Sequence, residues 1–232
     1  MYEYINKILA YHSGKFLYLV LMLLSLLILF PFLQGSTLGR VTLDTLLTII
    51  LLSSLFAVSQ KPQLVLAGGI VALTTILTIW LERITGNPSI GLISLVSGYI
   101  FFMYVTLVIL WHLFQERRVT IDEIAAAIST YLLLGLAGSF LYGIIEILHP
   151  GSLHFIEGQL PAPPEAVSPH FSQFIYYSFT TLTTLGYGDI YPVTPFARVA
   201  SYLEAVFGQI YLTILVARLV GLHISQPPEY PE

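Results

Sequence analysis

The residues best suited to chemistry occupy positions 183–189 and read Thr-Thr-Leu-Gly-Tyr-Gly-Asp. Successive backbone carbonyls point the same way only when the backbone conformation alternates, and Gly186 and Gly188 can adopt positive φ at little steric cost. A row of carbonyl oxygens that point one way can replace the water around a dehydrated cation. Because Gly-Tyr-Gly-Asp by itself is also typical of a surface turn, the flanking segments must distinguish a cation site from a turn.

The flanking segments favour a cation site. Residues 171–183 carry no charge and are typical of a helix, but this helix is too short to cross the ~30 Å hydrocarbon core of a bilayer. Its C-terminal end, with roughly half a negative charge, would face residues 183–189. Residues 190–195 predict a turn before the last apolar helix. We therefore expect a re-entrant half-helix whose negative end faces a cation in the middle of the bilayer.

The heptad resembles the selectivity filter of potassium channels, with Leu185 where the commonest version has valine. The resemblance implies that backbone carbonyls bind potassium and that the Thr184 hydroxyl completes the lowest site. It also implies that Leu185 and Tyr187 point outward and hold the filter at its diameter. The predicted filter comprises Thr184, Leu185, Gly186, Tyr187 and Gly188, with potassium at Thr184, Leu185, Gly186 and Tyr187.

This resemblance covers about the last 110 residues. Residues 176–178, Tyr-Tyr-Ser, match the aromatic-aromatic-serine positions of the pore helix. Gly208, twenty residues after Gly188, falls where potassium channels often carry a glycine hinge. Thr180 stands where some bacterial members have glutamate, so the resemblance implies that Tyr176 rather than Thr180 binds Asp189. The predicted filter support consists of Tyr176, Thr180, Asp189 and Glu204.

Glu204 is a charged residue within an apolar helix. A carboxylate at mid-membrane costs roughly 2.5–3.5 kcal/mol on insertion scales, so it should face protein or water. One hypothesis places Glu204 behind the filter, hydrogen-bonded near Thr180 or Thr181. The other exposes it to the cavity, where it would concentrate cations. The cavity is expected to be lined by Gln209, Leu212, Thr213 and Val216.

Composition is typical of a membrane protein. Hydrophobic residues make up 56% of the chain and charged residues 9%, whereas soluble domains have about 25% charged residues. The net charge of -4 gives no support to nucleic-acid binding, and the absence of cysteine excludes disulfides and thiolate metal sites.

Six apolar segments predict an all-α membrane protein with six transmembrane helices. The first is long and lacks a small-residue cleavage site, so we expect it to be retained rather than removed as a signal peptide. The pore helix and filter lie between the fifth and sixth spans. The predicted spans are 16–34, 43–60, 63–82, 89–115, 122–147 and 196–221.

The spans divide into a four-helix module, residues 1–118, and a pore domain, residues 119–232. The layout is similar to that of voltage-gated channels, but residues 90–115 contain no arginine or lysine. Because gating charges are what the membrane field acts on, we expect no voltage sensor of that kind. Arg117 and Arg118 are either topology anchors or the start of a coupling linker. Residues after the last span are few, so we expect no soluble gating domain there.

Basic residues favour an orientation with both termini in the cytoplasm of a multi-pass cell-membrane protein. Six lie on the cytoplasmic side in that orientation, and three lie outside or near the outer surface. The cytoplasmic set is Lys7, Lys15, Lys61, Arg117, Arg118 and Arg218, and the outer set is Arg40, Arg83 and Arg198. One filter strand cannot surround an ion, so we expect a homotetramer with the pore on its axis.

Three functional classes remain open. The first is a potassium-selective channel, the second a potassium-uptake transporter subunit, and the third a non-conducting membrane scaffold or sensor. The related transporters carry four degenerate filters in one chain, whereas this chain has a single full filter. No catalytic constellation, phosphate loop or metal cluster stands out, so we expect neither an enzyme nor a cofactor other than potassium. His149, His154 and His170 could form an outer zinc or proton site, or be solvated loop residues.

Overall fold

Helices account for most of the computed structural model, which describes residues 14–33, 37–58, 62–116, 120–155 and 171–225. Two short strands join them. The helices are α1 (Lys15–Leu33), α2 (Thr37–Ala57), α3 (Pro62–Thr85), α4 (Pro88–Gln115), α5 (Ile121–Leu148), α6 (Phe171–Leu182) and α7 (Pro195–Ser225). The strands are β1 (Leu153–Phe155) and β2 (Ile190–Pro192).

Six of these helices, all except α6, are long and apolar enough to cross a membrane. The predicted all-α membrane architecture is therefore confirmed. Local signals account for several helix starts. The Asn87 side chain accepts a hydrogen bond from Ser89 N at 2.9 Å, with Pro88 in the first turn of α4. Thr120 caps α5 in the same way by accepting from Glu123 N at 3.2 Å.

The second span differs most from its predicted bounds. It was expected to begin at residue 43, but α2 already runs from Thr37. Its first two turns contain charges that the hydropathy pattern treats as a boundary. Tertiary contacts satisfy one of them, because Arg83 on α3 binds the Asp44 carboxylate at 2.7 Å. A paired charge can lie within a spanning helix at lower cost than an isolated one.

Packing runs continuously from the first helices into the last ones. Helix α1 packs against α2 and α5, and also touches α6; α4 packs against both α3 and α5. Helix α6 fills the space between α5 and α7. One hydrophobic cluster of buried side chains extends across these elements. The core therefore crosses the predicted boundary at residue 118, and the division into two modules stays a prediction.

The predicted outer loop and the turn after the filter are joined by a small sheet. Strands β1 and β2 pair antiparallel, with Leu153 opposite Pro192 and Phe155 opposite Ile190. The rings of His154 and Tyr191 stack with centroids 4.8 Å apart. Sequence reasoning missed these strands because each has only three residues and their partners are far apart in sequence. The sheet ties the end of α5 to the chain that follows the predicted filter.

Several predicted features lie outside the described residues. They include Arg117 and Arg118 with their proposed linker role, Lys7 and Lys61 in the charge pattern, His170 with the centre of the outer loop, and both chain termini.

Candidate functional site

The predicted filter begins where α6 ends. Backbone hydrogen bonds carry the chain out of the helix: Thr184 N donates to Thr181 O at 2.9 Å, and Gly186 N donates to Thr180 O at 3.1 Å. These two bonds attach the start of the filter to the last turn of α6. Thr180 thus supports the filter through its carbonyl, while its hydroxyl donates back to Tyr177 O at 3.0 Å.

Backbone conformation alternates along the predicted filter. Thr184, Gly186 and Gly188 have φ of 59°, 52° and 81°, and among the described residues Thr184 is the only non-glycine with positive φ. Left-handed residues at every second position turn successive peptide groups toward the same side. The glycines were expected to adopt this conformation, but Thr184 was not. A threonine held in a sparsely populated region indicates that its surroundings impose the conformation.

The chain leaving the predicted filter is held by Asp189. Tyr176 on α6 donates its hydroxyl proton to Asp189 Oδ2 at 2.7 Å, as the resemblance implied. The other carboxylate oxygen accepts from Ile190 N at 3.1 Å. Asp189 therefore links α6 to the first residue of β2.

Two side chains of the predicted filter are more than half exposed to solvent in the single chain. Leu185 is 55% exposed and Tyr187 is 68% exposed. Leu185 borders an apolar groove of about 380 Å³ between α1 and α6, whose walls include Leu27, Phe30 and Phe179. The single chain does not supply the packing expected behind the filter.

Glu204 faces protein, but its partners differ from those expected. Its carboxylate lies 2.6 Å from Ser178 Oγ on α6 and 2.5 Å from the hydroxyl of Tyr142 on α5. Neither Thr180 nor Thr181 is a partner of its carboxylate. Gly138 on α5 makes room, because a Cβ there would collide with Glu204 and Ser178. The carboxylate thus connects α5, α6 and α7 behind the predicted filter.

Gly208 lies directly against the end of α6. A Cβ at Gly208 would collide with the carbonyl oxygen of Leu182, the last residue of α6. The same oxygen accepts a hydrogen bond from Tyr131 at 3.3 Å. Close packing therefore explains the glycine independently of a hinge. Helix α7 is continuous through this position, and the hinge stays a prediction.

Residues 128–223 match a family model described as an ion channel. The match begins about two turns into α5 and covers α6, the predicted filter and nearly all of α7, which is less than half of the chain. No solved structure matches the chain. The family match supports an ion channel embedded in a membrane.

The predicted cavity residues lie at helical spacing along α7. Gln209 donates from its side-chain amide to the Thr184 hydroxyl at 3.3 Å, next to the lowest predicted potassium site. Leu212, Thr213 and Val216 follow on the same helical face and are exposed in the single chain. This face therefore continues away from the predicted filter toward the other end of the molecule.

Sequence reasoning missed the contribution of α5 to this site. Two residues of α5 form hydrogen bonds with residues more than forty positions away. The Tyr142 hydroxyl donates to Glu204, and the Gly135 carbonyl oxygen lies 2.6 Å from the Ser178 hydroxyl, which can donate to it. Tyr177 and Ser201 form a further hydroxyl pair at 2.6 Å. No local spacing marks such contacts. The only available signal was the density of glycine and hydroxyl residues within apolar helices.

Substituting Gly208 by alanine should destabilise the protein by about 1–3 kcal/mol, as expected for overpacking against a fixed backbone oxygen. Gly221 is the matched control, because it lies on the same helix with open space around it. Gly221→Ala should be neutral or stabilise by up to about 1 kcal/mol through helix propensity. The measurement is the unfolding free energy of the purified protein in detergent. Equal effects of the two substitutions would contradict the contact with Leu182.

The Glu204 network should tolerate an amide but not an alkyl chain. In Glu204→Gln, the amide can accept from Tyr142 and donate to Ser178, so we expect a loss below about 1 kcal/mol. Glu204→Leu leaves the buried Tyr142 hydroxyl without this partner and should cost about 1–3 kcal/mol. Denaturant unfolding of both variants measures the difference. A loss as large for glutamine as for leucine would show that the charge itself, rather than hydrogen bonding, matters.

Proposed function

We propose that the protein is a potassium-selective channel that conducts dehydrated potassium passively through a backbone-carbonyl filter. The observation that carries the proposal is the alternation of left-handed residues at Thr184, Gly186 and Gly188 directly after the half-helix α6. Carbonyl oxygens arranged in this way can replace the hydration shell of a monovalent cation. The C-terminal dipole of α6 adds negative potential at the lower end of the filter. Potassium is the bound and permeant ion of this proposal, with no other cofactor needed for conduction.

The proposal requires four copies around one axis. Supporting it, the predicted filter and much of α7 are uncovered in the single chain: Tyr187, Tyr202 and Phe207 are each more than half exposed. A backbone strand that carries carbonyl ligands on one side needs three further strands to enclose an ion. The apolar groove beside Leu185 offers a place for side chains from a neighbouring subunit. A homotetramer would cover these surfaces and complete the ion sites.

The four leading helices are proposed to serve a purpose other than voltage sensing. Helix α4, Pro88–Gln115, carries no arginine or lysine on which a membrane field could act. On the helices before it, Arg83 of α3 is paired with Asp44 of α2. The fourth helix therefore offers the field no basic gating charge.

The proposed orientation places both termini in the cytoplasm and the filter toward the outer face. In a chain without cysteine, single cysteines can test this from opposite ends of α4. Ser89 and Gln115 are both exposed. In right-side-out vesicles, a membrane-impermeant thiol reagent should label Ser89→Cys and spare Gln115→Cys until the membrane is permeabilised. The reverse pattern would contradict the proposed orientation.

Ion flux tests the channel against its two alternatives. Liposomes containing the wild type should take up potassium or rubidium, exclude sodium, and stop with barium. Gly186→Ala should reduce the flux by about tenfold, since left-handed backbone costs alanine about 1–2 kcal/mol. The matched control is Gly86→Ala, because Gly86 also has positive φ, 62°, but lies in the turn between α3 and α4. Gly86→Ala should retain wild-type selectivity and flux.

The outcomes separate the three classes. A transporter subunit would show uptake without free exchange of rubidium, and a scaffold would show no protein-dependent uptake. Native mass spectrometry of the same preparations should give four chains per particle. A monomer, or equal sodium and potassium flux, contradicts the proposed channel.

A further inference from the structure

The ends of four helices meet at the side of the molecule opposite the β1–β2 sheet. Phe16, in the first turn of α1, donates its backbone N–H to Asp122 Oδ1 on α5 at 3.2 Å. Its ring stacks on the imidazole of His112 near the end of α4, with centroids 5.8 Å apart. Arg218 on α7 donates to the carbonyl oxygen of Glu116, just after α4, at 2.5 Å. We call this meeting point the joint: Lys15, Phe16, His112, Glu116, Asp122, Glu123 and Arg218.

Three metal-ligating side chains converge within the joint. His112 Nε2 lies 3.3 Å from Glu123 Oε1, and the other ring nitrogen, His112 Nδ1, lies 3.9 Å from Glu116 Oε1. A single ion binds only one of these nitrogens, so one glutamate must turn toward the nitrogen that the ion occupies. One ligand atom from each of the three residues lies within 4.8 Å of the others. In a tetrahedral zinc site, bonds of about 2.0–2.2 Å place ligand atoms about 3.4 Å apart. Ion binding therefore requires side-chain movements of more than an ångström.

The joint holds carboxylate oxygen that protein groups do not satisfy. Glu123 Oε2 is buried and has no hydrogen-bond partner among the described residues. A buried acceptor without a partner costs about 1–3 kcal/mol, and more when it is charged. Lys15 does not relieve this, because its Nζ is also buried without a partner and lies over the Phe16 ring instead. The oxygen that faces His112 is Oε1, so a cation that bound both carboxylate oxygens of Glu123 would also satisfy the free Oε2.

Two of the three candidate ligands are largely buried. The side chains of His112 and Glu123 are 17% and 14% exposed, whereas that of Glu116 is 47% exposed. Within the described part of the joint, three carboxylates face two cationic side chains, Lys15 and Arg218. Imidazole with carboxylate is a donor set that suits zinc, nickel and copper, whereas calcium and magnesium prefer oxygen ligands alone. His112 and Glu116 are also one helical turn apart, so they project to the same side.

We propose that His112, Glu116 and Glu123 form a binding site for a divalent transition-metal ion, with zinc as the reference member of this class. The ligands come from both sides of the boundary between α4 and α5, so the bound ion would clamp the four-helix module to the outer helix of the pore. Glu116 also holds Arg218 of α7 through its carbonyl. The clamp therefore extends to the helix that lines the proposed pore, and zinc would alter conduction from this joint.

Metal binding can be measured without reference to conduction. Titration calorimetry of the untagged full chain with zinc chloride should give one ion per chain in the wild type. His112→Ala and Glu123→Gln each remove one ligand and should weaken binding by at least about tenfold. Glu123→Gln keeps the shape of the side chain, so it reports on the ligand even if His112→Ala unfolds. The matched control is His154→Ala, which removes a histidine stacked on Tyr191 at the opposite end of the molecule.

Each outcome decides a part of the proposal. Equal zinc affinity in the wild type, His112→Ala and Glu123→Gln would indicate an adventitious ion only and overturn the site. Loss of binding in His154→Ala alone would assign the metal to the outer loop and also overturn it. If the wild type binds zinc as expected but its rubidium flux is the same in zinc and in EDTA, the clamp on conduction is overturned. Failure of the channel proposal itself would be separate, because it would appear as absent flux before zinc is added.

Discussion

A helix that stops within a bilayer leaves peptide groups without partners, and hydrocarbon offers none. This constraint governs the end of α6. Within the same segment, the N–H of Gly186 donates a hydrogen bond to the Thr180 carbonyl oxygen. From another helix, the hydroxyl of Tyr131 on α5 donates to the carbonyl oxygen of Leu182. Helix α7 covers the same oxygen through the flat surface of Gly208. The predicted filter starts directly after this hydrogen-bonded end of α6.

Polar contacts behind this point bind three helices together. Ser178, Glu204 and Tyr142 connect α6, α7 and α5 through hydrogen bonds of 2.5–2.6 Å. The Ser178 hydroxyl has one proton, and it lies equally close, at 2.6 Å, to the carbonyl oxygen of Gly135 on α5. Apolar surfaces provide little directional preference within a membrane, because lipid tails compete equally well for them. Hydrogen bonds between small or hydroxyl-bearing positions can specify the register of the helices where apolar contacts cannot.

The four leading helices share one hydrophobic core with α5, α6 and α7, the predicted pore elements. Helix α1 reaches the predicted pore helix directly, with the rings of Phe30 and Phe171 5.9 Å apart. Phe140 on α5 contacts Phe171 of α6 and Phe102 of α4. One series of aromatic rings therefore crosses the predicted module boundary. At the opposite end, the joint brings α1, α4, α5 and α7 together. The leading helices therefore contact α5 and α6 through the aromatic series and α5 and α7 through the joint.

The spanning helices and the backbone conformations open to the candidate site follow from the sequence alone, whereas the two short strands do not. Long apolar segments specify spanning helices, and the glycines at 186 and 188 permit left-handed conformations, because both depend on residues close together in the chain. The pairing of Tyr176 with Asp189 was also accessible from the sequence, through the resemblance to potassium-channel filters, and the two side chains do form a hydrogen bond. The partners of Glu204, the close contact at Gly208, and the proximity of His112, Glu116 and Glu123 became apparent only from the folded chain. These depend on which faces of distant helices meet, and no local periodicity records that choice.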